Sequence, residues 1–104
     1  MTATEQRNDV VLALRGELDA ESVTEARKRL LGLQLPRGAR LVLDLRELTF
    51  TDSKGIRLIL LAREYALQRG AWFALADVPD QVARTLALVG LDEQLETVAH
   101  DRGS

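Results

Sequence analysis

Asp52-Ser53-Lys54-Gly55-Ile56 lies between the apolar run Leu41-Val42-Leu43-Asp44-Leu45 and the apolar run Leu58-Ile59-Leu60-Leu61-Ala62. The first run has the length and near-continuous hydrophobicity of a strand buried on both faces. The second continues at helical spacing to about Arg69. The stretch between them is a strand-to-helix turn that puts a serine hydroxyl at a helix N-terminus. First-turn N–H groups lack intrahelical acceptors, and the backbone dipole favours an oxygen or an added anion there. Ser53 or Asp52 is suited to cap the helix. An exposed hydroxyl at this place is also one that another protein can modify.

Working outward, Val10-Val11-Leu12-Ala13-Leu14, ended by Gly16, reads as a buried strand. Ser22-Val23-Thr24-Glu25 has the capping-box pattern, with the Ser22 hydroxyl taking the Glu25 N–H and the Glu25 carboxylate returning to Ser22. The helix it opens should bury Val23, Ala26, Leu30 and Leu33, and Pro36 with Gly38 ends the segment. The central helix is expected over about 54–69, with Gly70 in the position that commonly takes a left-handed cap. Residues at about 100° intervals put Ile56, Ile59, Leu60, Ala66 and Leu67 on one broad face. Lys54, Arg57, Leu58, Leu61 and Tyr65 fall on the other side, toward the end that carries Ser53. Apolar residues on an outward face suggest a partner-docking stripe unless another element of the domain covers them.

Ala71-Trp72-Phe73-Ala74-Leu75-Ala76 reads as a strand with Trp72 and Phe73 in the core, since the basic surround of a base-stacking platform is missing. Pro79 fits the first turn of a third helix that buries Val82, Leu86 and Val89 and stops at Gly90. Leu95 to Ala99 reads as a short last strand. Strands alternating with three helices predict an α/β sandwich, a small mixed sheet packed with helices.

At 104 residues the chain is expected to form one domain, ordered over about 5–100. A chain of this size buries roughly 65% of its unfolded surface without metal or disulfide help. The absence of Cys excludes a disulfide framework, a thiolate nucleophile and a thiolate zinc site, and fits a reducing cytoplasm. The polar start from Met1 to Asp9 does not resemble a secretory signal, and no apolar stretch is long enough for membrane insertion. Fourteen basic and sixteen acidic residues are interspersed, without the basic stripe of a nucleic-acid binder. Arg27-Lys28-Arg29 reads as solvated helix surface, because consecutive helical residues diverge by about 100°.

Catalysis by the chain itself is not expected. The one histidine, His100, is in the polar tail, far in sequence from the only serine placed for nucleophilic attack. Glu17, Asp19, Asp44 and Asp52 are spaced as turn and strand-end residues rather than as an ion loop, and the glycines match neither the dinucleotide nor the P-loop pattern. No cofactor is expected.

Four landmarks stand in order: Gly16-Glu17-Leu18-Asp19 after a first strand, Leu43-Asp44-Leu45 leading through Thr49-Phe50 to Asp52-Ser53-Lys54-Gly55, Gly70 closing the central helix, and Val89-Gly90-Leu91 before a last strand. With this spacing, the chain from about Val10 to Val98 resembles a STAS domain of the anti-sigma factor antagonist kind. The resemblance implies a STAS-type sandwich in which Ser53 matches the family's phosphoacceptor. With the outward face of the central helix, the expected partner-binding surface beside that serine is Asp19, Asp52, Lys54, Gly55, Arg57, Leu58, Leu61 and Tyr65. The implied partners are an anti-sigma factor with serine kinase activity, which binds the unphosphorylated domain and then phosphorylates Ser53, and a serine phosphatase that resets it. First-turn N–H groups of the central helix are expected to hold the phosphate. The chain departs from the pattern at Lys54, where the family usually has a small residue, and at Thr51, where it usually has a large apolar one. Stand-alone STAS domains also resemble accessory subunits of lipid-transport ATPases. Nucleotide binding by the domain itself is a third reading.

Overall fold

The computed structural model describes residues 9–91 and 95–98; the sequence expectations for the first residues, for His100 and for the C-terminal tail lie outside these. In chain order the elements are β1 (Asp9–Ala13), β2 (Gly16–Leu18), α1 (Val23–Leu31), β3 (Arg40–Asp44), β4 (Leu48–Thr51), α2 (Ser53–Gln68), β5 (Trp72–Ala76), α3 (Asp80–Leu88) and β6 (Thr97–Val98). Two sheets form, one ordered β1-β3-β5-β6 and one pairing β2 with β4. The α/β sandwich is as expected, but among the described residues every pairing is parallel rather than mixed. Each step from strand to neighbouring strand crosses through a helix or a long connection, which is what parallel pairing requires.

The core follows from the pleat. Leu12, Leu43 and Leu75 are in register across β1, β3 and β5. They join one buried cluster with Leu30 of α1, Ile59 and Ala66 of α2, and Val82 and Leu86 of α3. β3 is buried along nearly its whole length, as its composition implied. β1 is not the buried strand expected: it is the sheet edge, and within it only Leu12 is buried. A two-pronged ion pair holds this edge in place, with Arg40 Nε donating to Asp9 Oδ1 at 3.1 Å and Nη2 to Oδ2 at 2.9 Å. Trp72 is 66% exposed, against expectation, while Phe73 is buried. The period of two explains both. Phe73 shares the core-facing row with Leu75, so Trp72 must face the other way, in register with Arg40 and Asp9.

α2 is the element that positions the site. It ends where expected: Gly70 has φ of +73°, and the Ala71 N–H reaches back to the Ala66 carbonyl at 2.9 Å. Its rotational phase differs from the sequence expectation. Gly55, Ile56, Leu58, Ile59, Ala62, Tyr65 and Ala66 are buried, whereas Leu60 and Leu67 are exposed. The cause is α1, which packs along α2 and covers the side where a docking stripe was expected. Tyr65 is anchored there, its hydroxyl donating to the carbonyls of Leu31 at 3.2 Å and Leu33 at 2.9 Å, with the Arg69 guanidinium 3.8 Å above its ring. Leu58, 4% exposed, and Tyr65, 8% exposed, are packing residues of the domain rather than docking residues. In α3, Val82 and Leu86 are buried as expected, but Val89 is exposed past the helix end, and Pro79 is the N-cap rather than a first-turn residue.

Candidate functional site

β2 and β4, too short to be read as strands from the sequence, place the site. Leu18 is paired with Thr51, so the residues that follow them, Asp19 and Asp52, leave the small sheet side by side. The Asp52 N–H donates to the Leu18 carbonyl at 3.3 Å and ties the two exits together. Each exit then enters a helix through an aspartate-organised turn.

At the first exit the Asp19 carboxylate accepts from the N–H groups of Glu21 and Ser22, both at 3.1 Å. The expected capping box does not form. The Ser22 hydroxyl turns back, accepting from the Asp19 N–H at 3.0 Å and donating to the Glu17 carbonyl at 2.6 Å, and Ser22 has helical backbone angles. Asp19 has taken the capping role because it can hold two successive N–H groups through an Asx turn. Those bonds favour the charged form, foremost the one from Ser22, so the Asp19 carboxyl is held below its ordinary pKa.

At the second exit Asp52 is the N-cap of α2, extended in backbone, with Oδ1 accepting from Lys54 N–H at 2.9 Å and Gly55 N–H at 3.2 Å. The Asp52 carbonyl accepts from Ile56 N–H at 3.1 Å. The capping question left open by the sequence thus resolves to Asp52, and Ser53 is the first helical residue, exposed, with no hydrogen bond from its hydroxyl among the described residues. The Asp52 carboxylate thus already occupies the Lys54 and Gly55 N–H groups, two of the first-turn donors expected to hold a phosphate on Ser53. The cations nearest in sequence are Lys54, the next residue, and Arg57, one turn on and on the same helix side.

Gly55 is buried for a packing reason rather than placed for partner contact. A Cβ there would strike Thr51 Oγ1, and would lie 2.8 Å from the Leu18 carbonyl oxygen and 3.0 Å from Leu18 Cγ. Thr51 is 2% exposed and its hydroxyl donates to the Asp52 carbonyl at 3.3 Å, which makes it a strand-end filler. The absent side chain at 55 lets the first turn of α2 sit directly on β2 and β4, and so fixes where Ser53 emerges.

Of the expected surface, Asp19, Asp52, Lys54 and Arg57 are brought together around Ser53, and Leu61 is half-buried against the core at the edge of the α1–α2 seam. Gly55, Leu58 and Tyr65 lie inside the domain. One residue that sequence reading passed over joins the group: Arg27 of α1 lines a groove of about 350 Å³ together with Val23, Lys54, Arg57, Leu58 and Leu61. Nothing local marks Arg27 within Arg27-Lys28-Arg29, because only the packing of α1 on α2 selects it. Among the described residues no group of carboxylates and imidazoles is arranged to hold a metal ion, and no helix is long and apolar enough to cross a membrane.

Comparison with known proteins agrees with this architecture. The family model described as "Mlab, STAS domain" matches residues 1–98. A sulfate transporter family protein from Wolinella succinogenes superimposes with a TM-score of 0.75 at 20% identity, over 94% of this chain and 85% of that one. A candidate anti-sigma factor antagonist from Thermotoga maritima gives a TM-score of 0.75 at 25% identity, over 86% and 78%. The anti-sigma factor antagonist SpoIIAA in its unphosphorylated form gives 0.65 at 23% identity, over 94% and 86%. At their identities the first and third speak to the fold alone. A family model spanning nearly the whole chain, on the fold described above, establishes that this protein belongs to the STAS domain family.

Proposed function

We propose that this STAS domain is an anti-sigma factor antagonist whose partner binding is switched by phosphorylation of Ser53. The observation that carries the reading is the state of that serine: exposed, outside any hydrogen bond among the described residues, at the start of α2, and flanked by the Asp19 and Asp52 turns. A kinase can reach such a hydroxyl without unfolding the domain. The added group carries roughly −1.5 to −2 charge at neutral pH. It would stand beside two carboxylates that are already committed to backbone N–H groups, so the negative potential at this edge rises and the fold is retained. Like charge forced into a desolvated interface costs several kcal/mol, enough to release a partner.

In this reading the protein is ligand and substrate, not catalyst. The unphosphorylated form binds an anti-sigma factor with serine kinase activity and frees the sigma factor in the cytoplasm. The kinase then modifies Ser53, and a serine phosphatase restores it. The similarity to the Thermotoga maritima protein supports this direction. The second reading is an accessory STAS subunit docked on a transport ATPase, which stand-alone STAS domains also resemble. Co-purification of the tagged protein from its host separates the two. A kinase-type anti-sigma factor in the eluate supports the antagonist reading, and an ATPase subunit of a transporter overturns it.

A further inference from the structure

The groove between α1 and α2 has a composition that the switch at Ser53 does not by itself require. Its floor is apolar, made by Val23, Leu58 and Leu61, and its rim carries Arg27, Lys54 and Arg57. No carboxylate lines it. None of the three cations enters an ion pair among the described residues, and neither do Lys28, Arg37, Arg63 or Arg84; what sets these three apart is that they line one apolar-floored groove together. On a chain of net charge −2, three unpaired cations around one apolar depression are a local reversal of sign. We infer that this groove receives an acidic amphipathic segment of a partner protein, an aliphatic side chain seated on the floor and carboxylates meeting the rim.

Charge complementarity selects this occupant over other anions. A nucleic acid or an anionic lipid surface needs an extended basic field. Here the cations are bounded at the Ser53 end by Asp19, Glu21 and Asp52. A volume of about 350 Å³ accommodates one or two aliphatic side chains, which suits helix-in-groove recognition by a short segment. The inference deepens the antagonist reading and rests on it for the existence of a protein partner. It also gives the phosphate a second route of action. Phosphoserine at 53 would draw Lys54 and Arg57, the neighbouring residue and the one a helical turn on, away from the groove rim. The phosphate then competes inside the molecule for the cations that the acidic segment uses.

The test uses the unmodified full chain and two helix-forming peptides with the same leucines on one face, one flanked by Glu and one by Gln. Binding is followed by amide chemical shifts of the labelled protein. The Glu peptide should shift Val23, Arg27, Arg57 and Leu61, weaken as salt is raised, and lose about tenfold or more in affinity with Arg27→Glu and Arg57→Glu combined. Equal binding of the two peptides, shifts centred elsewhere, no binding of either, or equal displacement by a single-stranded oligonucleotide or phosphatidylglycerol vesicles each overturns the inference. No kinase enters this experiment, so its failure leaves the Ser53 switch standing. Conversely, a Ser53 that accepts no phosphate leaves the groove result intact.

Discussion

Replacing Gly55 with alanine adds one methyl group at the point where α2 rests on β2 and β4. The new Cβ meets Thr51 Oγ1 closer than real contacts allow, with the Leu18 carbonyl oxygen at 2.8 Å and Leu18 Cγ at 3.0 Å. Thr51 can rotate and Leu18 Cγ can yield, but the carbonyl belongs to the β2 backbone, whose exit is bonded to Asp52. Overpacking of this kind costs about 1–3 kcal/mol, and a backbone obstacle places it near the upper figure. Alanine recovers at most about 1 kcal/mol through its better helix propensity. The expected net loss is about 2 kcal/mol, which for a domain of this size lowers Tm by roughly 8–16 °C. Thermal unfolding followed by circular dichroism measures it. Thr51→Ala removes the nearest obstacle, so the double variant should be more stable than the sum of the two single losses implies. A Gly55→Ala protein melting with the wild type, or a double variant that shows strict additivity, would refute the packing explanation.

Other perturbations test neighbouring parts of the structure. Asp52→Ala removes the acceptor for two first-turn N–H groups and should cost about 0.5–2 kcal/mol in chemical denaturation, whereas Ser53→Ala, touching no hydrogen bond, should leave stability unchanged within about 0.5 kcal/mol. Leu58→Ala should cost about 2–5 kcal/mol as a core truncation, while Leu60→Ala and Leu67→Ala on the exposed face should be nearly neutral; the reverse order would restore the helix phase expected from sequence. The folded-state pKa of Asp19 is lowered, so its charge contributes stability that is present above the ordinary carboxylate pKa and is lost as pH falls through the folded value. Asp19→Asn keeps an acceptor for the turn, so the wild type's stability advantage over this variant, read from Tm, should shrink as pH falls below about 4.

What the sequence disclosed and what it hid divide along physical lines. Signals carried by a few adjacent residues were legible: the buried strand Leu41–Leu45, the turn into α2, the left-handed Gly70 and the stop at Gly90 correspond to structural features, whereas α1 ends at Leu31 with Gly32 as its C-cap, short of the expected stop at Pro36 and Gly38. β2 was not legible because Gly16-Glu17-Leu18 is too short for alternation to appear, although its pairing with β4 is what sets Asp19 next to Asp52. The phase of α2 was not legible either. Ile59 and the leucines at 58, 60, 61 and 67 nearly encircle the helix, and only the docking of α1, with Tyr65 bonded to the carbonyls of Leu31 and Leu33 at its end, decides which are covered. The same docking turns Arg27 from solvated surface into part of a groove. Asp19 and Ser22 show the limit of motif reading. The residues of a capping box were present, but the preceding aspartate offered a better acceptor for the same backbone.

The switch itself is tested most directly by titrating the anti-sigma factor recovered from the host against the unmodified protein and against the protein carrying one phosphate on Ser53, verified by intact mass and by its loss in Ser53→Ala. If the phosphate acts by placing like charge in the interface and diverting Lys54 and Arg57, the phosphorylated form should bind at least about tenfold more weakly. Equal affinities for the two forms, or phosphate transferred to a residue other than Ser53, would contradict it.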